Sequence, residues 1–183
     1  MAADCADCWS APAARPAVPG WRLDWITPAA ADAPLAAAAL PESRERADRA
    51  DRATAAPAVA PRPAALRMTV VSGPAWNGYF GLQMTLQQAR AGSNRAGLPA
   101  GSTAWLALVE LLPAGSEGSP VPRALVRSVA GPLPLTEPAP GDSASHLRAL
   151  RWPDGARPDR LQARAWIEAP TGQVLLMAAD RCP

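Results

Sequence analysis

Alternating apolar and polar positions dominate the C-terminal half of the chain. Thr103 to Leu112, Arg123 to Ala130, Ser145 to Trp152, Leu161 to Ala169 and Val174 to Ala179 are runs of strand length, separated by clusters of Gly, Pro, Ser and Asp. Within Leu161–Ala169, Leu161, Ala163, Ala165 and Ile167 alternate with Gln162, Arg164, Trp166 and Glu168, a pattern that predicts one buried and one mostly solvated face. Pro170-Thr171-Gly172-Gln173 joins the last two runs as a hairpin. Leu66 to Ser72 reads as a strand ended by a Gly73-Pro74 turn, and Tyr79 to Leu86 as another short strand. Trp76-Asn77-Gly78-Tyr79 forms a turn with an aromatic on each side. Strands at turn spacings of ~8–12 residues predict a small antiparallel sheet or sandwich.

The N-terminal part has a different texture. Trp21, Leu23 and Trp25 alternate with Arg22, Asp24 and Ile26, predicting a strand that stops at Thr27-Pro28. From Asp32 to Thr54 the residues turn helical in type, and Pro41 divides an apolar piece from a charged one. In the charged piece Glu42 precedes Arg46, Glu45 precedes Arg49 and Asp48 precedes Arg52 by four positions. These are helix pairs worth ~0.2–0.5 kcal/mol each, and they predict a solvated helix face. Residues 55–65 are a proline-rich linker with polyproline II character.

Composition narrows the function classes. The chain of 183 residues carries a net charge of +2 with its arginines and acids interspersed, so no basic footprint for nucleic acid exists. No apolar window of ~18 residues is present, which predicts no membrane span. Met1 to Ser10 lacks the basic start and apolar run of a secretory signal, which predicts either a cytoplasmic protein or a processed or late-started chain. With 22 Pro against one Tyr and one Phe, the seven Trp must supply most of the bulky core.

The concentrated chemistry is Cys5-Ala6-Asp7-Cys8. Two thiols separated by two residues can close a small disulfide, and a helix starting at the first would stabilise its thiolate. The expected roles are Cys5 as attacking thiolate and Cys8 as resolver, trading electrons with protein thiols or disulfides and needing no cofactor. An inactive structural pair is the alternative. A third reading adds His146 and Cys182 to make a Cys₃His zinc set, drawn from both chain ends and an internal strand. Hydrolase and nucleotide chemistry lack support: His146 has no nucleophile elbow near it, and residues 113–119 lack the Gly-Lys-Ser/Thr ending of a phosphate loop.

Several segments are similar to a bacterial family of secreted thioredoxin-like proteins of unknown function, in which a Cys-x-x-Cys half precedes a β-rich half. Leu125 to Leu133 resembles that family's strand with a valine-arginine pair and a Gly-Pro turn. Leu161–Glu168 through Gly172–Leu175 resembles its terminal hairpin, and Thr103–Glu110 the strand that opens the β half. At Cys5–Cys8, Trp9-Ser10 stands where the family carries prolines, and Leu66-Arg67 where it has Thr-Pro. The resemblance implies an exported protein whose leader and first strand precede the present start. Together these readings predict an α+β chain: an abbreviated thioredoxin-like segment over residues 1–90, then an antiparallel β domain over 91–183. The expected function is thiol–disulfide exchange on protein disulfides, or else a non-enzymatic exported binding or accessory domain, or a zinc-stabilised structural module.

Overall fold

The structure, a computed structural model, describes residues 1–11, 21–55, 63, 65–90, 97–152 and 154–180, with the backbone alone for 49–55. Seven strands follow one another: β1 (Leu66–Trp76), β2 (Tyr79–Gln88), β3 (Thr103–Leu112), β4 (Arg123–Pro134), β5 (Ser143–Arg151), β6 (Leu161–Glu168) and β7 (Val174–Ala179). Asn77 and Gly78 take φ values of 48° and 76°, the left-handed conformation of a two-residue hairpin turn, and fold β1 back on β2. β1 does not stop at Gly73-Pro74. Its register slips between Ser72 and Ala75 and the strand continues, since Pro74 lies on an edge strand at a bulge, where a missing N–H is tolerated.

β2 pairs on its other side with β5, giving a three-stranded sheet β1-β2-β5; the second sheet runs β4-β3-β6-β7, and every pairing is antiparallel. Strands from before and after residue 90 therefore share one sheet. The inner faces meet in a core built on Met68, Val70, Leu82, Met84, Leu106, Leu108 and Ile167. Asp180, just past β7, accepts hydrogen bonds from the Ser72 amide, at 2.8 Å, and from its hydroxyl, tying the edge of β1 to the second sheet.

This architecture corrects the α+β expectation. The molecule is mostly β, and among the described residues only one helix, α2 (Glu42–Ala55), exceeds two turns; α1 (Ala6–Ser10) has five residues. No thioredoxin-like α+β segment is formed. A β-α-β unit would set Trp21–Ile26 parallel to Leu66–Val71, but among the described residues Trp21–Ile26 makes isolated bridges to Leu125 and Ala39 and none to β1, which pairs with the next strand in a local hairpin. α2 also lacks the means to cover a sheet, because Glu42–Ala55 contains no apolar residue larger than alanine.

Residues 21–40 instead form a strap over the outer face of the four-stranded sheet, extended over 21–30 and then turning into a 3-10 helix at Ala36–Ala38. Asp24 makes one parallel bridge to Leu125 at the edge of β4, its N–H donating to Ala124 O at 2.7 Å and its carbonyl accepting from Val126 N at 3.0 Å. The alternation of the strap directs Trp21, Leu23 and Trp25 onto Trp105, Ala107, Val109, Val126 and Trp166. Hence the second face of β6 is not wet: Arg164, Trp166 and Glu168 are all buried there, and β3 is buried on both faces. Arg164 lies over the Trp21 ring at 5.1 Å, and burial lowers its pKa from the usual arginine value. Gly131 permits β4 to cross Trp105 closely, since a Cβ at its φ of +151° would lie 2.5 Å from Trp105 Cε3.

Candidate functional site

Cys5 and Cys8 are joined as a disulfide, with Cα atoms 5.2 Å apart. The bridge spans the start of α1. Cys5 caps that helix, its Sγ accepting a hydrogen bond from the Cys8 N–H at 3.3 Å. Cys5 is half-buried and Cys8 exposed, so an approaching thiol meets the Cys8 residue first.

The turn preceding the pair is fixed to the strap. Ala3 N donates to Thr27 O at 2.9 Å, and Thr27 N to Met1 O at 2.8 Å. Behind the pair, Trp9 is buried with Ala3, Ile26, Leu112 and Leu125, and its indole N–H donates to Glu117 O at 2.7 Å. The hub of the region is Arg123, the first residue of β4. Its guanidinium donates to the carbonyls of Trp9, of Ala11 at 2.6 Å and of Cys8 at 3.4 Å, so it caps the carboxyl end of α1 where the helix leaves carbonyls without partners. Its Nε donates to Ser119 Oγ at 3.0 Å, its plane lies 5.1 Å over the Trp9 ring, and its Nη1 is 3.6 Å from Asp24 Oδ1. Asp24 also accepts from the Ala124 N–H at 2.8 Å and pairs with Arg22 at 2.5 Å. A charged network thus fixes the disulfide-bearing turn to the edge of the sandwich.

Sequence spacing finds Cys5 and Cys8 but not Arg123, Asp24 or Trp9 as their supports. The other residues singled out lie elsewhere. His146 is on β5 opposite Met84, in the other sheet; burial pushes its imidazole below the ordinary histidine range, and the nearby Arg148 charge adds to this. Cys182 lies outside the described residues, as do the side chains of Arg49 and Arg52 in the expected helix pairs. Among the described residues no three His, Cys, Asp or Glu side chains are grouped to hold a metal ion. Nor, among them, is any helix long and apolar enough to cross a membrane. Arg46, expected on the solvated face of α2 beside Glu42, instead points inward to the buried carboxylate of Glu168.

No family model, curated protein or solved structure matches the chain. Function must come from the geometry of its own residues.

One surface stands apart from the cysteine pair. On the outer face of β1-β2-β5, Trp76 is 76% exposed, Leu147 64%, Val71 53% and Tyr79 47%. Trp76 faces Tyr79 directly across the hairpin, and Val71 and Leu147 flank Gln83 in one cross-strand row.

Proposed function

We propose that the chain is a thiol–disulfide exchange module in which Cys5 and Cys8 form the redox couple on a β-sandwich frame. The observation that carries this reading is the surface disulfide at the start of α1, whose Cys5 sulfur already accepts a backbone hydrogen bond. A partner thiolate attacks Cys8 Sγ, the Cys5–Cys8 bond breaks, and the electron pair departs on Cys5 Sγ, where the Cys8 N–H stabilises the thiolate. A second thiolate of the partner then attacks the partner's own sulfur in the mixed disulfide and releases Cys8. The partner is oxidised by two electrons and the cysteine pair is reduced. Spacing gave the exposed role to Cys5; burial favours Cys8. Such a bridge persists in an oxidising compartment, which fits a periplasmic or secreted protein.

The test is trapping. Reduced Cys5→Ser, mixed with a disulfide-bonded substrate protein, should accumulate a mixed disulfide through Cys8, and Cys8→Ser about tenfold less under the same conditions. Oxidised wild type should convert a reduced dithiol protein stoichiometrically. Absence of both trapping and conversion, with the disulfide intact in the purified protein, would leave the pair purely structural.

The exposed aromatic face favours a second reading, a non-enzymatic binding or accessory domain. Apolar side chains gathered on a monomer surface mark contact sites more often than those scattered singly. Trp76→Ala should then shift unfolding free energy by no more than about 0.5 kcal/mol in urea titration, because the ring contributes to contact rather than to the fold. A loss above about 2 kcal/mol would show that Trp76 is packing and remove this reading.

A further inference from the structure

On the outer face of the four-stranded sheet, Trp105 and Trp166 are direct cross-strand partners with near-parallel rings, centroids 6.1 Å apart and planes 5° from parallel. Trp25 of the strap meets Trp166 edge-on at 6.3 Å. Beside these rings lies Glu168, fully buried, with Oε1 accepting the Trp166 indole N–H at 2.7 Å. Its Oε2 is buried and accepts no hydrogen bond among the described residues. Three indole faces with one carboxylate beside them form a cation receptor, because ring quadrupole and anion attract the same charge in a desolvated site.

The occupant is the protein's own Arg46. Its Cζ lies 5.3 Å from the Trp105 and Trp166 centroids and 5.8 Å from that of Trp25, and Nη1 is in ion-pair contact with Glu168 Oε1. The fit is incomplete: among the described residues, Arg46 Nε and Nη1 make no hydrogen bond of acceptable geometry, and neither does Glu168 Oε2. Charge and ring faces hold the guanidinium, and one carboxylate oxygen and the Nε donor stay without a hydrogen bond among the described residues. A buried polar group left in this state is destabilising, and a better-aligned cation relieves it. α2 has no side chain from Leu, Ile, Val, Met or an aromatic, so Arg46 is its one long side chain placed in this layer among the described residues. Near it, the Ser43 hydroxyl donates to Leu40 O and Arg44 to Pro28 O, both on the strap.

We propose that the Trp25–Trp105–Trp166 cage with Glu168 is a binding site for a guanidinium group, and that Arg46 on α2 is a displaceable occupant holding it closed. A planar guanidinium matches parallel indole faces and a carboxylate fork; a compact ammonium does not.

The test uses the full chain with methylguanidinium as probe and methylammonium as control. In Arg46→Ala the cage is vacated, and methylguanidinium should change tryptophan fluorescence saturably, at least about tenfold more tightly than methylammonium. The response should vanish in Arg46→Ala/Glu168→Gln. Wild type should bind about tenfold or more weakly than Arg46→Ala, since its binding-competent state is a minority. If Arg46→Ala loses near-UV circular dichroism, methylguanidinium should restore cooperative unfolding and raise Tm with concentration, and methylammonium should not. A folded Arg46→Ala with no saturable response overturns the proposal. So does an unfolded one with no rescue, or equal binding by both probes.

Discussion

Arg123→Ala is expected to lower the unfolding free energy by about 3–5 kcal/mol, among the largest losses any single substitution causes in this chain. Arg123 is only 3% exposed, so its charge has left water and depends on the acceptors around it. Truncation removes the guanidinium donor from the Ala11 carbonyl at the end of α1 and from part of the Asp24 carboxylate, and leaves the Trp9 carbonyl with the Ser119 hydroxyl at 3.2 Å as its remaining side-chain donor. Asp24 keeps Arg22 and the Ala124 amide, which sets the loss below that of a wholly unpaired buried charge. The check is a urea titration followed by intrinsic fluorescence, since Trp9 lies under the Arg123 plane and reports undocking directly. Arg123→Met, which retains the length of the side chain without its donors, should recover less than half of the loss. If Arg123→Ala costs under about 1 kcal/mol, burial of Trp9 alone holds α1 and the charged hub is incidental.

The hub also explains how far the site was legible. Cys5 and Cys8 are readable because a two-residue spacing is a local constraint, but Arg123 follows Val121-Pro122 at the mouth of a strand and looks like any exposed strand end. Its partners lie more than a hundred residues earlier, at Trp9 and Ala11. The same distinction runs through the fold. β3 spans Thr103–Leu112 as its apolar run predicts, and β7 spans Val174–Ala179, because strand period is written into neighbouring residues. Strand partners and covering layers are not local. The α+β reading failed at Trp21–Ile26, which bridges Leu125 at the edge of β4 and not Leu66–Val71, while Leu66 begins an antiparallel hairpin turned at Asn77-Gly78. The solvated-helix reading of α2 failed at Arg46, where a buried carboxylate and three indoles outweigh a surface pair with Glu42. Both errors share a cause: the strap of residues 21–40 is unrelated in sequence to the sheet it covers.

Trp166→Ala measures that covering layer. Were the second face of β6 solvated, as the polar Gln162, Arg164 and Glu168 beside Trp166 suggest, the substitution would change stability by no more than about 0.5 kcal/mol. Trp166 is instead 1% exposed, parallel to Trp105, met edge-on by Trp25, and hydrogen-bonded to Glu168. Its removal opens a cavity between strap and sheet and leaves Glu168 with one fewer donor in a site where Oε2 already lacks one. The expected loss is about 3–5 kcal/mol, comparable to other buried Trp→Ala changes, and it should appear as a lower urea midpoint. At about 2–4 °C per kcal/mol for a chain of this size, Tm falls by roughly 6–20 °C. Trp166→Phe keeps a six-membered ring in the stack but loses the indole N–H and part of the ring volume, so it should cost about 1.5–3 kcal/mol for the hydrogen bond to a charged group, with a smaller cavity than Ala leaves. Equal losses for Phe and Ala would mean that the Glu168 contact, rather than the stacked indoles, holds the strap against the sheet.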